Sequence, residues 1–158
     1  MVNTVFRFLD RTIEWLIIGI FIALVLTGGM QVFNRFVLNN SLSWSEEFQR
    51  YAHIWMVYLA IPVAYRRGMH IGMDVLKEKM SPIMQRIMCY FIHSMWIALS
   101  VTIMFFTLKI MKVAARQTSS GLGISMDYAY LGLFIGSLYL LVVALRKLGA
   151  EFLYGRDR

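Results

Sequence analysis

The chain has 158 residues, of which 59% are hydrophobic and only 16% charged, with a formal net charge of +7. A water-soluble domain of this length carries more charge, so composition excludes an ordinary soluble enzyme or binding module. A basic chain can also bind nucleic acid. Here Lys and Arg flank apolar runs and form no stripe with stacking aromatics, so lipid headgroups are the expected partner.

Four stretches of the sequence contain no Asp, Glu, Lys or Arg, namely residues 15–34, 51–65, 87–108 and 128–145. Crossing the hydrocarbon takes about 20 apolar residues per helix. The sequence therefore predicts an all-α integral membrane protein with four transmembrane helices, in which residues 1–158 form one domain. Ion carriers keep ionisable groups inside the membrane, so we expect any translocation site to lie in another protein.

The distribution of Lys and Arg predicts an orientation. The N-terminal tail, second loop and C-terminal tail together hold 11 of the 16 basic residues, and the first and third loops hold 5. The positive-inside rule then places both termini in the cytoplasm. The single cysteine, Cys89, allows no internal disulfide bond.

The first helix is predicted over about residues 12–37, and its apolar run is too long for a cleaved signal peptide. Its small residues would let a neighbouring helix approach closely in lipid; they are Gly19, Ala23, Gly28 and Gly29. Gln31 and Asn34 near its outer end would either bond a neighbouring helix or face headgroups.

The second helix is predicted from about Trp44 to Arg66, with Ser43 and Glu46 forming a capping box. Residues 73–80 are then predicted to form a short amphipathic helix at the membrane surface. Ser81 and Pro82 mark the start of the third helix.

The third helix is expected to continue past Leu108 towards Gln117 and to project beyond the outer side of the membrane. Asp127 is the predicted N-cap of the fourth helix, which should end near residues 146–147. Gly132 and Gly136 form a GxxxG pair within it, a pattern that favours close helix packing.

The densest polar cluster heads the second helix and comprises Trp44, Glu46, Glu47 and Arg50. Helix capping and anchoring at the interface would explain part of it, since the helix dipole favours acids at this end. Two acids, a tryptophan and an arginine at one membrane edge also suggest a surface for recognition or docking. The residues alone leave both interpretations open.

Histidines raise the alternative of a haem protein, with His53 and His93 as axial ligands. Their predicted depths differ by roughly 10–20 Å, which one iron cannot bridge. His70 in the second loop is more simply a hydrogen-bonding residue. No nucleophile with a base, phosphate-binding glycine loop or Cys/His metal spacing occurs, so neither an enzyme nor a cofactor is predicted.

The segment from Ser43 to Asp74 carries a residue pattern specific enough to indicate a protein family. Trp44-Ser45-Glu46-Glu47 with Arg50 heads the second helix, and a segment follows that contains Arg66, Arg67, His70 and Asp74. Together with the four-span layout, this resembles the small membrane (DctQ-type) subunit of tripartite ATP-independent periplasmic (TRAP) transporters. The motif covers about 32 residues, and the hydropathy layout matches nearly the whole chain.

The resemblance implies a three-protein system in the bacterial inner membrane for sodium-coupled uptake of an organic acid, such as sialic acid or a C4-dicarboxylate. A periplasmic binding protein captures the acid, and a large DctM-type elevator subunit holds the substrate and sodium sites. The small subunit is the scaffold and helps the binding protein dock.

On this resemblance, residues at two membrane edges have structural and partner-contact roles and none binds substrate. The outer set is Trp44, Glu46, Glu47 and Arg50, and the cytoplasmic set is Arg66, Arg67, His70 and Asp74. We further expect Lys112 and Arg116 to contact an acidic patch on the binding protein.

A self-sufficient small exporter is the other alternative. Such a protein needs an acid within the membrane, usually on the first helix, and this chain has none between Glu14 and Arg35.

Overall fold

The computed structural model describes residues 2–68 and 81–154. This part of the chain contains four α-helices, which confirms the predicted all-α class. They are α1 (Val2–Phe36), α2 (Ser43–Arg66), α3 (Pro82–Ala114) and α4 (Asp127–Tyr154).

Three helices are long and apolar enough to cross a membrane, over Phe6–Phe36, Ile83–Ala114 and Asp127–Phe152. The protein is therefore a multi-pass membrane protein. α2 is not among these three, since polar residues such as Gln49 and His53 interrupt its N-terminal half. A fourth span stays a prediction, and the surface helix predicted over residues 73–80 lies outside the described residues.

Helix α4 lies between α2 and α3, while α1 packs against α2. The buried core forms where α2 and α4 meet, around Tyr65, Tyr139, Leu140 and Val143. Only 6% of the apolar span of α1 is buried, against 39% of that of α4. The helices therefore pack in the order α1, α2, α4 and α3, with α2 and α4 in the middle and α1 at the periphery.

Two helices extend further than the sequence indicated. α1 begins at Val2 rather than near residue 12, and α4 continues to Tyr154 rather than ending near residues 146–147. Charged residues end the apolar run but do not end a helix, because Lys, Arg and Glu are good helix formers. α3 continues past Leu108 to Ala114, and Ser81 is its N-cap with proline in the first turn, as predicted.

The GxxxG pair lies at the contact between α4 and α2, which confirms the predicted packing role. A Cβ atom on Gly132 would lie 2.6 Å from the Trp55 ring, and one on Gly136 would lie 2.7 Å from the backbone carbon of Tyr58. The small residues of α1 form no such contact within the described residues, so a close approach of another helix at α1 stays a prediction. No atom lies within 4 Å of a Cβ on Gly19, Gly28 or Gly29, because α1 contacts α2 through other residues.

Candidate functional site

We name the two ends of the bundle, outer and inner, by the orientation predicted from the sequence. An outer brace joins the start of α2 to the loop between α3 and α4. The Glu47 carboxylate accepts hydrogen bonds from the hydroxyls of Ser119 and, at 3.0 Å, Ser120. It also accepts from the backbone N–H groups of Gly121 at 2.8 Å and Leu122 at 3.1 Å. One side chain thus holds four consecutive residues of the loop.

The loop is folded to present these donors. Thr118 and Ser125 form an antiparallel bridge, and the Ser119 N–H donates to the Ile124 carbonyl at 2.8 Å. Gly123 has a φ of +67°, which only glycine adopts readily. A Cβ on Gly121 would lie 2.9 Å from the Ser43 carbonyl oxygen, so glycine also lets the loop approach α2 closely.

These bonds set the charge state of Glu47. The hydrogen bond from Ser119, with those from Gly121, Ser120 and Leu122, outweighs the opposing effect of desolvation and lowers the pKa of Glu47 from 4.5 to about 2. Glu47 is therefore ionised throughout the physiological pH range. The arrangement suits a permanent structural acceptor rather than a group that exchanges protons.

The other outer-motif residues do not join this brace. Trp44 packs edge-on against Phe48, with ring centroids 6.3 Å apart. Glu46 and Arg50 are exposed, and within the described residues they form no ion pair with each other. The predicted capping box is wrong, because α2 already begins at Ser43 and its N-cap, Leu42, provides no side-chain bond.

An inner brace joins α1, α2 and α4 at the opposite end of the bundle. Arg66 forms salt bridges with both Asp10 and Glu14, and Arg67 lies 3.0 Å from Glu14. The Tyr139 hydroxyl donates to Asp10 at 2.5 Å, and Asp10 is only 8% exposed. A buried acid is thus held by one cation and one hydroxyl from two other helices.

A second set of contacts lies beside this brace. The Lys147 ammonium donates to the backbone carbonyl of Tyr65 at 2.6 Å, and the Tyr65 hydroxyl lies 2.6 Å from Nδ1 of His93. His93 therefore lies near the inner end of α2, whereas His53 lies in its outer half. The two imidazoles lie at different depths, as the sequence predicted.

The remaining predicted site residues fall into two groups. Lys112 and Arg116 are exposed, at or just beyond the end of α3 and before the loop that Glu47 holds. His70 and Asp74 lie outside the described residues. Among the described residues, no group of three His, Cys, Asp or Glu side chains is placed to hold a metal ion.

Sequence reasoning missed the partners in both braces. Asp10 and Glu14 are spaced four apart at one end of α1, opposite Arg66 and Arg67 on the next helix. This complementary pattern on neighbouring antiparallel helices was a usable signal. No comparable signal linked Glu47 to Ser119, since 72 residues separate them.

Comparison with known proteins gives consistent matches. Residues 22–152 match the family described as "Tripartite ATP-independent periplasmic transporters, DctQ component". A Haemophilus influenzae protein named as a TRAP transporter small permease is 28% identical over 56% of this chain and 55% of its own length. A second Haemophilus influenzae protein with the same name is 21% identical over 96% of this chain and 92% of its own length.

A third relative is a larger protein. The isethionate TRAP transporter permease protein DctMQ of Oleidesulfovibrio alaskensis is 27% identical over 68% of this chain. The match spans 17% of that protein, and the match to the first relative spans about half of its length.

Proposed function

The chain belongs to the DctQ component family of TRAP transporters, and from this premise we propose that it is the small scaffold subunit of such a transporter. In this role all four helices span the inner membrane of a bacterium, with both termini in the cytoplasm. The excess of basic residues in the tails and second loop supports this orientation.

The scaffold role is carried by one observation, the two polar braces at opposite ends of the bundle. Glu47 ties α2 to the loop before α4, and Arg66 with Asp10 ties α2 to α1 and, through Tyr139, to α4. Within the described residues, charged groups thus cross-link helices at both ends of the bundle. Such bracing suits a protein that must stay rigid while its partner moves.

The proposed membrane partner is a large DctM-type elevator subunit. The name DctMQ of one relative combines the designations of the two membrane components, which supports their association. The large subunit would hold the organic-acid and sodium sites. No cofactor or substrate is assigned to the small subunit itself.

The proposed soluble partner is a periplasmic substrate-binding protein. The outer surface offers exposed cations at Lys112 and Arg116 beside a loop that Glu47 holds in place. An ordered, basic loop would favour docking of an acidic patch on the binding protein. Trp44, Glu46 and Arg50 lie at the start of α2, on the same side of the membrane in this orientation.

An omission experiment in lipid vesicles tests the proposal. The chain, the proposed DctM-type large subunit and the binding protein are reconstituted together, and uptake of a radiolabelled organic acid is measured with a sodium gradient. We expect uptake only when all three proteins and sodium are present. Uptake by the small chain alone would contradict the scaffold role.

A further inference from the structure

One face of α2, between its contacts with α1 and α4, is left open within the described residues and carries hydrogen-bond donors beside apolar side chains. Arg50, His53 and Val57 are exposed, the last by 40%. With Gln49, Ile54 and Tyr58 they line an open groove of about 510 Å³. We call the surface formed by these six residues the α2 donor face.

Contacts with α1 give the depth of this face. Gln49 donates to Gln31 at 2.6 Å, and Arg66 pairs with Glu14 at the other end of the same two helices. His53 follows Gln49 by four residues, and Thr27 precedes Gln31 by four. Because the two helices are antiparallel, His53 and Thr27 lie at the same depth. That level is roughly 10 Å inside the outer end of the charge-free run of α1.

Hydrocarbon cannot satisfy the groups on this face. An imidazole has at least one N–H donor in either protonation state, and a guanidinium has five. Among residues 2–68 and 81–154, no group hydrogen-bonds to His53 or pairs with Arg50. Ionisable side chains at membrane depth almost always face protein or a water-filled cavity, whereas an arginine at the membrane edge can extend to the headgroups. The α2 donor face therefore requires a cover at His53.

The exposed face of α1 at the same depth differs from the α2 donor face in its polarity. It carries Phe21, Ile22 and Val25, each more than half exposed and each apolar. Lipid chains satisfy such a surface without a partner. The contrast separates a lipid-facing helix, α1, from a partner-facing one, α2.

Resting on the proposed function, we infer that the α2 donor face is the surface on which the large membrane subunit docks. The complementary patch on that subunit presents hydrogen-bond acceptors, carboxylate or free backbone carbonyl, within the outer half of the membrane. A second copy of this chain fits poorly, because a two-fold contact would place Arg50 and His53 against themselves. A soluble binding protein cannot reach this depth.

Site-directed photo-crosslinking in the complex of the two membrane subunits tests the inference. A benzophenone amino acid is introduced at Val57 on the α2 donor face and, as a control at matched depth, at Ile22 on α1. We expect Val57 to cross-link to the large subunit and Ile22 to give no protein adduct. Adducts from Ile22 alone, or from Val57 to a second small subunit, would overturn the assignment.

Substitution of His53 provides the second arm. His53→Leu leaves the partner's acceptor unpaired, and we expect roughly tenfold weaker retention of the large subunit. His53→Gln keeps an N–H donor and should retain the partner at close to the wild-type level. Equal retention by both variants would show that His53 faces lipid, which contradicts the proposal.

The two arms separate failure of this inference from failure of the proposed function. Size-exclusion profiles of each variant small subunit alone show whether it remains folded. If the wild-type subunits do not co-purify at all, the scaffold role itself fails. If they co-purify but Val57 gives no adduct, only the docking face is wrong.

Discussion

Glu46 and Glu47 are adjacent carboxylates with opposite surroundings. Glu46 is exposed, while Glu47 accepts hydrogen bonds from two hydroxyls and two backbone N–H groups of one loop. The same residue type therefore has two different environments within one turn of helix. Identity alone does not distinguish them, because the donors come from a distant part of the chain.

Replacing Glu47 should release the loop. Glu47→Gln removes the charge and one acceptor oxygen, so the amides of residues 119–122 should exchange hydrogen faster by mass spectrometry. Glu46→Gln is the matched control and should leave their exchange unchanged. Equal exchange in both variants would mean that the loop is ordered without the carboxylate.

The lowered pKa of Glu47 gives a dependence on pH. Because the folded-state pKa is about 2 and the ordinary value is 4.5, the stabilisation is complete above about pH 4.5 and is lost as the pH falls towards 2. The NMR amide shift of Gly121 should stay constant from pH 7 to 5 and should move at lower pH with a midpoint near 2. A midpoint near 4.5 would show that the Glu47 bonds are absent in solution.

At the scale of elements, glycines bring α4 against α2. Gly136 faces the Tyr58 backbone, which cannot move aside as a flexible side chain would. Gly136→Ala should therefore lower the free energy of unfolding by about 1–3 kcal/mol through overpacking. The measurement is thermal unfolding in detergent.

Gly149→Ala is the control on the same helix. No atom lies within 4 Å of a Cβ at Gly149. Alanine favours helix over glycine by up to about 1 kcal/mol, so this variant should unfold at the same or a higher temperature. A comparable loss of stability in both variants would contradict a specific contact at Gly136.

The inner brace makes a second prediction at this scale. Arg66→Ala leaves the buried Asp10 without its cation and should cost roughly 1–3 kcal/mol of unfolding free energy. Arg67 is half exposed and makes one 3.0 Å contact, so Arg67→Ala should cost less than about 1 kcal/mol. Chemical denaturation in mild detergent would compare them; an equal cost would exclude a special role for Arg66.

Sequence patterns predicted the helices better than the contacts between them. Apolar runs located all four helices, and the GxxxG spacing located the α2–α4 contact, because both depend on local periodicity. The start of α1 and the end of α4 were predicted wrongly, because a charged residue ends an apolar run of sequence without ending the helix. The outer brace could not be predicted from the sequence, because Glu47 and its donors are 72 or more positions apart in the chain.

At the scale of the molecule, the two braces cross-link helices at both ends of the bundle, as the proposed scaffold role requires. Helix α2 takes part in each of these features. It contributes Glu47 to the outer brace, Arg66 to the inner brace and the α2 donor face between them. It is also the most polar of the four helices, which fits contact with protein rather than lipid on several sides.

Co-purification tests the central claim most directly. The tagged chain is expressed with the proposed DctM-type large subunit and extracted in mild detergent, and the mass of the extracted complex is measured by native mass spectrometry. The scaffold role predicts one stable complex with one copy of each protein. A homo-oligomer of the small chain, with the large protein absent, would contradict it.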